Sequence, residues 1–245
     1  MKKRIVTSVV LIAVLLLVGI IDNRFLTGLF IGAIAIGGYL EAENLFKTKS
    51  KEIFYIATAS VLLSLIVNPF TALVFGVVVS ASYVAYYKKD LKIISPVIYP
   101  LVPLMILYAL YLKHGMGTMG WLIVIVALTD SLAYFVGKNF ARQFISKGFC
   151  PTSPNKSWEG VIGGVVGATI IGAFVGLYFM DFWNAFFISL LVSISSVFGD
   201  LFESYLKRRA GVKDSGNILP GHGGVLDRID GYLFAAPVMF ALLGV

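Results

Sequence analysis

Charged and turn-forming residues divide this chain into apolar blocks at about 5–21, 25–40, 53–67, 70–87, 93–112, 121–137, 161–180, 183–206 and 229–245. Runs of roughly 15 to 20 apolar residues are long enough to cross a bilayer as helices. The pattern predicts an all-α fold, a polytopic transmembrane bundle of about nine helices. The second and third blocks are short for full spans. The third meets the fourth at Asn68-Pro69, so a re-entrant pair there is the alternative. Pro96, Pro100 and Pro103 predict a kinked fifth helix. Gly160, Gly164, Ala168, Gly172 and Gly176 recur every four residues and predict a small-residue ridge along which a neighbouring helix packs tightly.

Composition agrees. The apolar share is 58% and the mean hydropathy +0.90, whereas soluble domains are usually about 45–50% apolar. In 245 residues there is room for one integral-membrane domain, 1–245, with N-terminal helices over about 1–112 and a C-terminal half over about 121–245. The single cysteine, Cys150, cannot form an internal disulfide. The apolar stretch after the initial MKKR lacks a small-x-small cleavage site and runs into Asp22-Asn23-Arg24. It reads as a first span rather than a cleaved leader.

Charge sets an orientation. If all nine blocks span, eighteen of the twenty lysines and arginines fall on one side, and Arg24 and Lys113 on the other. The positive-inside rule makes the rich side cytoplasmic, with the N-terminus inside and the C-terminus outside. The net charge of +7 is then mostly topological, and no nucleic-acid partner is expected. Part of it can hold anionic lipid head groups.

Against this apolar background one stretch is dense in charge: SYLKRRAGVKDSGNILPGHGGVLDRID, Ser204 to Asp230. Asp200 and Glu203 just before it share a helix face at i,i+3, and Asp227 and Asp230 repeat the spacing. Asp130 lies inside the sixth block. Ionisable groups within spans are costly and face a cavity or a partner. Salt bridging with nearby arginines is the plain structural explanation. The functional one is a divalent cation: Mg²⁺ is commonly held by one or two carboxylates plus substrate phosphates. PGHGG at 220–224 offers flexible backbone that approaches anions closely, but matches neither a Walker A loop nor a dinucleotide fingerprint. His222 either stabilises that loop or contacts a phosphate or base. A second polar segment, CPTSPNKSWEG at 150–160, supplies Ser153, Lys156, Ser157 and Glu159 before a helix N-terminus, where anions are favoured. It is otherwise a connector with capping residues.

The 204–230 stretch resembles the signature of the phosphatidate cytidylyltransferase (CDP-diacylglycerol synthase) family. Ser204, Leu206, Lys207, Arg208, Lys213, Asp214, Gly216, Leu219, Pro220, His222, Gly223, Gly224, Val225, Asp227, Arg228, Ile229 and Asp230 fit it without insertion. The resemblance extends to TDSLAYFVGKNF at 129–140, SPNKSWEG at 153–160 and FGDLFES at 198–204. It departs where the family often has two basic residues after Ser-Pro; here Asn155 takes the first place and Lys156 the second.

The resemblance implies transfer of CMP from CTP to phosphatidate, giving CDP-diacylglycerol and pyrophosphate for phospholipid biosynthesis. It implies Mg²⁺ as cofactor, with a second cation left open. Asp200, Asp227 and Asp230 are the implied metal ligands, with Glu203 and Asp130 as lesser candidates. Lys207, Arg208 and Lys213 would neutralise phosphates and complete the catalytic set. Ser153, Lys156, Ser157 and Glu159 would hold CTP, joined in the substrate site by His222, Gly223, Gly224 and Arg228. The expected partners are CTP, phosphatidate and the bilayer, with a homodimer left open. The expected location is the inner cell membrane, with the active site facing the cytoplasm. Two other readings remain. A CTP-dependent polyprenol kinase would need a base, His222 or an aspartate, to deprotonate an alcohol. An ion-coupled transporter also uses intramembrane carboxylates, but no internal repeat is visible here.

Overall fold

The computed structural model describes the backbone of residues 2–244 and the side chains of residues 5–244. Eight α-helices run through them: α1 (Lys2–Ile21), α2 (Arg24–Phe46), α3 (Lys51–Ser64), α4 (Pro69–Tyr86), α5 (Val102–Phe140), α6 (Trp158–Gly176), α7 (Phe182–Ala210) and α8 (Leu226–Leu242). The all-α expectation holds, with one small addition. Strands β1 (Gly148–Cys150) and β2 (Ser153–Ser157) form an antiparallel hairpin with Gly148 opposite Ser157 and Cys150 opposite Ser153.

The expected count of nine is not matched among the described residues. The fifth and sixth blocks run together through α5, which is broken at Gly115 (φ 80°, ψ 177°), a conformation suited to glycine. Ahead of α5 the chain makes a tight turn at Leu91–Ile94 and a wide one at Val97–Leu101, where Tyr99 leaves helical geometry beside Pro100. This is the kink that the prolines predict. The second block is longer than its apolar run suggests. α2 continues through Glu41, Ala42 and Glu43, all buried.

Five helical stretches are long and apolar enough to cross a membrane by length and composition: Arg24–Phe46, Pro69–Tyr86, Leu91–Phe140, Trp158–Gly176 and Phe182–Ala210. Ile5–Ile21 is a shorter apolar helix, and α3, with 14 residues, is short for a span. Ile5, Val6, Ile12, Leu16 and Ile20 of α1 are exposed, as lipid-facing side chains are. These features fit an integral membrane protein.

The chain divides into two compact units, residues 1–116 with 206–229 and residues 117–205 with 230–245. In the first, Asn23, Ser50 and Asn68 cap α2, α3 and α4 with their side chains, and Pro69 opens α4. Ile31, Ala35 and Tyr39 of α2 and Ile53, Ala57 and Val61 of α3 are buried. A Cβ on Gly32 would lie 2.9 Å from Val61, so α2 and α3 approach closely only because glycine is there.

In the second unit the expected ridge packs as predicted. Added Cβ atoms on Gly164, Gly172 and Gly176 would meet Thr129 O at 2.6 Å, Ile125 at 2.8 Å and Trp121 at 2.6 Å on α5. Those on Gly172 and Gly176 would also meet Ser189 and Ala185 of α7. The Trp121 indole donates to Gly172 O at 2.7 Å. A Cβ on Gly199 of α7 would come within 3.2 Å of the Gly231 Cα on α8. That close backbone approach puts Asp200 and Asp230, each one residue away, beside the same crossing.

Candidate active site

In the second unit a cavity of about 480 Å³ opens among α5, the hairpin, α6 and α7, a size typical of small-molecule sites. One face of α5 lines it with Asp130, Tyr134, Gly137 and Lys138, spaced as helical neighbours. Asn155, Lys156 and Ser157 enter from β2, and Asp200 from α7. Lys156 forms an ion pair with Asp200, and both side chains are 29% exposed. Ser204 Oγ donates to Asp200 Oδ1 at 3.3 Å. Asp130, exposed on the cavity wall, lies within electrostatic reach of Asp200 and Lys156. Tyr232 of α8 lies within reach of both Asp130 and Asp230.

The rest of the hairpin segment shapes this wall. Ser157 caps α6, accepting from Gly160 N at 3.1 Å. Glu159 is buried and accepts from Phe144 N at 3.0 Å and Ile145 N at 2.8 Å, closing the turn after α5. Ser153 stands at the hairpin turn opposite Cys150. Of the four residues expected to hold CTP, Lys156 and Ser157 line the cavity, while Glu159 and Ser153 support the segment that carries them.

The charged stretch lies largely in the first unit, with Lys207, Arg208, Lys213, His222, Gly223, Gly224, Asp227 and Arg228; Asp200, Glu203 and Asp230 belong to the second. Asp227 is the hub of the first-unit part. Its Oδ1 accepts from Lys207 Nζ at 2.8 Å. Its Oδ2 accepts from Ser215 N at 2.9 Å and Gly224 N at 2.8 Å and lies 3.0 Å from Ser215 Oγ. Burial works to raise its carboxyl, but the Lys207 ammonium and the Gly224 and Ser215 N–H groups outweigh it and hold the group below the usual carboxylate value.

The PGHGG turn is tight. Gly221 and Gly223 take φ of 76° and 82°, and Leu219 N donates to Gly223 O at 3.0 Å. His222 Nε2 and Ser8 Oγ of α1 share a hydrogen bond of 2.9 Å. Arg228 donates from Nε and Nη2 to His222 O. Arg208 and Lys213 are exposed, and Glu203 is fully buried within α7.

Three contributors carry no assignment from sequence. Lys138 and Tyr134 were legible in principle, since they fall at i+8 and i+4 from Asp130 within TDSLAYFVGK. Glu41, which holds the loop before α8 through Ser215, Val225 and Leu226, was not. Its partners lie 174 to 185 residues away.

Among the described residues no group of three or more His, Cys, Asp and Glu side chains is arranged to hold a metal. The carboxylates near the cavity nevertheless suit magnesium, which needs only one or two of them when phosphates complete its shell.

Comparison with known proteins decides the family. A family model described as "Cytidylyltransferase family" matches residues 2–245. The chain belongs to that family. It is 41% identical to a phosphatidate cytidylyltransferase of Helicobacter pylori (strain ATCC 700392 / 26695), over 99% of this chain and 91% of the relative. A phosphatidate cytidylyltransferase of Thermotoga maritima is 34% identical over 98% of this chain and 95% of its own. The match to the Bacillus subtilis (strain 168) enzyme of that name is 42% identical over 54% of this chain. The cytidylyltransferase resemblance seen in the motifs therefore extends over both halves of the chain.

Proposed function

We propose that this protein transfers CMP from CTP to phosphatidate, forming CDP-diacylglycerol and pyrophosphate for phospholipid biosynthesis. The observation that carries the reading is the near-full-length similarity to proteins named for that activity. The cavity around Asp130, Lys156 and Asp200 supports it as a candidate site. An oxygen of the phosphatidate phosphomonoester attacks the α-phosphorus of CTP. The bond from that phosphorus to the bridging oxygen breaks, and the electron pair leaves with pyrophosphate. Such transfers depend on alignment and charge neutralisation. A phosphomonoester has its second pKa at about 6, so the nucleophile is largely dianionic at neutral pH and needs no protein base.

In this proposal Asp200 and Asp230, with Asp130 beside them, would hold magnesium. Bound magnesium neutralises phosphate charge and fixes phosphate orientation. Of the other two carboxylates expected as ligands, Asp227 is saturated by protein donors and Glu203 is fully buried; both are assigned to the scaffold. Lys156 and Lys138 face the triphosphate, with Asn155 and Ser157 as neutral partners. Arg208 and Lys213, exposed on the charged stretch, attract the anionic substrates. The excess of basic residues supports a cytoplasmic orientation of this face at the inner membrane.

The test is to supply purified protein with phosphatidate, CTP and Mg²⁺ and identify the lipid by mass spectrometry. The proposal expects phosphatidate to gain a CMP moiety. A phosphorylated polyprenol formed from an added alcohol, with phosphatidate unchanged, contradicts it.

A further inference from the structure

Glu41 lies in α2, far from the charged stretch in sequence, and is 3% exposed. A buried carboxylate is costly unless donors surround it. Its donors come from the loop before α8 and from the first residue of α8. Oε1 accepts from Val225 N at 2.9 Å, and Oε2 accepts from Leu226 N at 2.9 Å and Ser215 Oγ at 3.0 Å. The carboxylate therefore occupies the N-terminus of α8, where free N–H groups and the helix dipole favour negative charge.

Asp227 grips the same loop, through Ser215 and Gly224. The Ser215 hydroxyl lies within hydrogen-bond distance of both carboxylates. Side chains at Gly216 or Gly224 would collide with Glu41, so the glycines of this loop make room for a carboxylate of the protein itself. The N–H groups of Gly224, Val225 and Leu226 are all directed at Glu41 or Asp227.

We infer that Glu41 is a positioning residue for the reaction. It clamps the 215–226 loop against Asp227 and so fixes the Lys207–Asp227 pair and the PGHGG turn. It touches no substrate and acts through Ser215 and the α8 N-terminus. The N-terminal half of the chain thereby has a part in the chemistry. The kinetic part of this inference rests on the proposed cytidylyl transfer; the clamp itself does not.

Glu41→Gln tests it. The amide keeps the size but turns an NH₂ group toward at least one of the three donors. Hydrogen exchange of the full-length protein in detergent should show faster exchange at Val225 and Leu226, with α3 and α4 unchanged. Well below its Tm, kcat should fall about tenfold or more while KM for CTP stays within about threefold, as expected when reacting groups are misplaced. Ser215→Ala should shift both readouts less, in the same direction, and the double variant should be no worse than Glu41→Gln alone.

Unchanged exchange at 225–226, a lowered Tm with kcat intact, or additive effects in the double variant would each overturn the inference. If Glu41→Gln does not fold, Ser215→Ala alone decides by the same two readouts. If the wild-type protein makes no CDP-diacylglycerol, the proposed function fails, and the exchange measurement still decides the clamp.

Discussion

Lys156 of β2 forms an ion pair with Asp200 of α7, and the two close one side of the second unit's cavity. A cation suited to phosphate and a carboxylate suited to metal neutralise each other there. In the proposed reaction CTP and magnesium would give each a better partner, so the pair would exchange charge with the ligands at little cost. Lys156→Ala should raise KM for CTP about 10- to 100-fold, the value of a hydrogen bond to a charged group. Steady-state kinetics on CTP check this. An unchanged KM would remove Lys156 from the site.

The aspartates should separate into two kinds. Asp200→Asn and Asp230→Asn should abolish Mg²⁺-dependent turnover while Tm in detergent holds, because the role proposed for them is toward ligands. Asp227→Asn should lower both activity and Tm, because it removes a charge partner of Lys207 and disturbs the contacts to Ser215 and Gly224. The Asp227 pKa is depressed in the fold. Its stabilisation is therefore present above the ordinary carboxylate value of about 3.9 and is lost as pH falls through the lower folded value. A Tm unchanged in Asp227→Asn at neutral pH would contradict the scaffold role.

His222 should not behave as a base. It meets Ser8 through Nε2 and Arg228 through its carbonyl, contacts that hold a turn. His222→Asn should slow turnover by less than the ~10²–10⁴-fold expected for a lost general base. The acid limb of the pH profile should track phosphatidate ionisation near pH ~6 in wild type and variant alike. Disappearance of that limb in the variant would make His222 the proton acceptor.

The ridge on α6 gives a stability prediction. Gly164→Val forces a side chain against Thr129 O and Ala133 and should cost at least about 1–3 kcal/mol, the usual range for overpacking. Gly19→Ala, with nothing within 4 Å, should be neutral or mildly stabilising. Thermal unfolding in detergent compares the two.

Much of this was legible in the chain itself. The helical blocks, the proline kink, the small-residue ridge and the charged stretch follow from local pattern, because hydropathy, backbone restriction and side-chain volume act over a few residues. The difference between eight and nine helices rests on Gly115, where non-helical backbone breaks α5 between the fifth and sixth blocks. The hairpin at 148–157 is too short and polar to announce itself. Glu41 looked like the end of an apolar run, because its donors are fixed only by tertiary structure. Gly224 reads as anion-cradling backbone in sequence, yet its N–H group turns to Asp227.

Cytidylyl transfer at the Asp200 cavity is tested most directly by positional labelling. Wild-type protein and Asp200→Asn are given phosphatidate and Mg²⁺ with CTP labelled at either the α- or the γ-phosphorus. The account predicts that wild-type protein moves the α-label into lipid, releases the γ-label as pyrophosphate in equal amount, and that Asp200→Asn does neither. Entry of the γ-label into lipid with release of CDP, or full α-label transfer by Asp200→Asn, would contradict it.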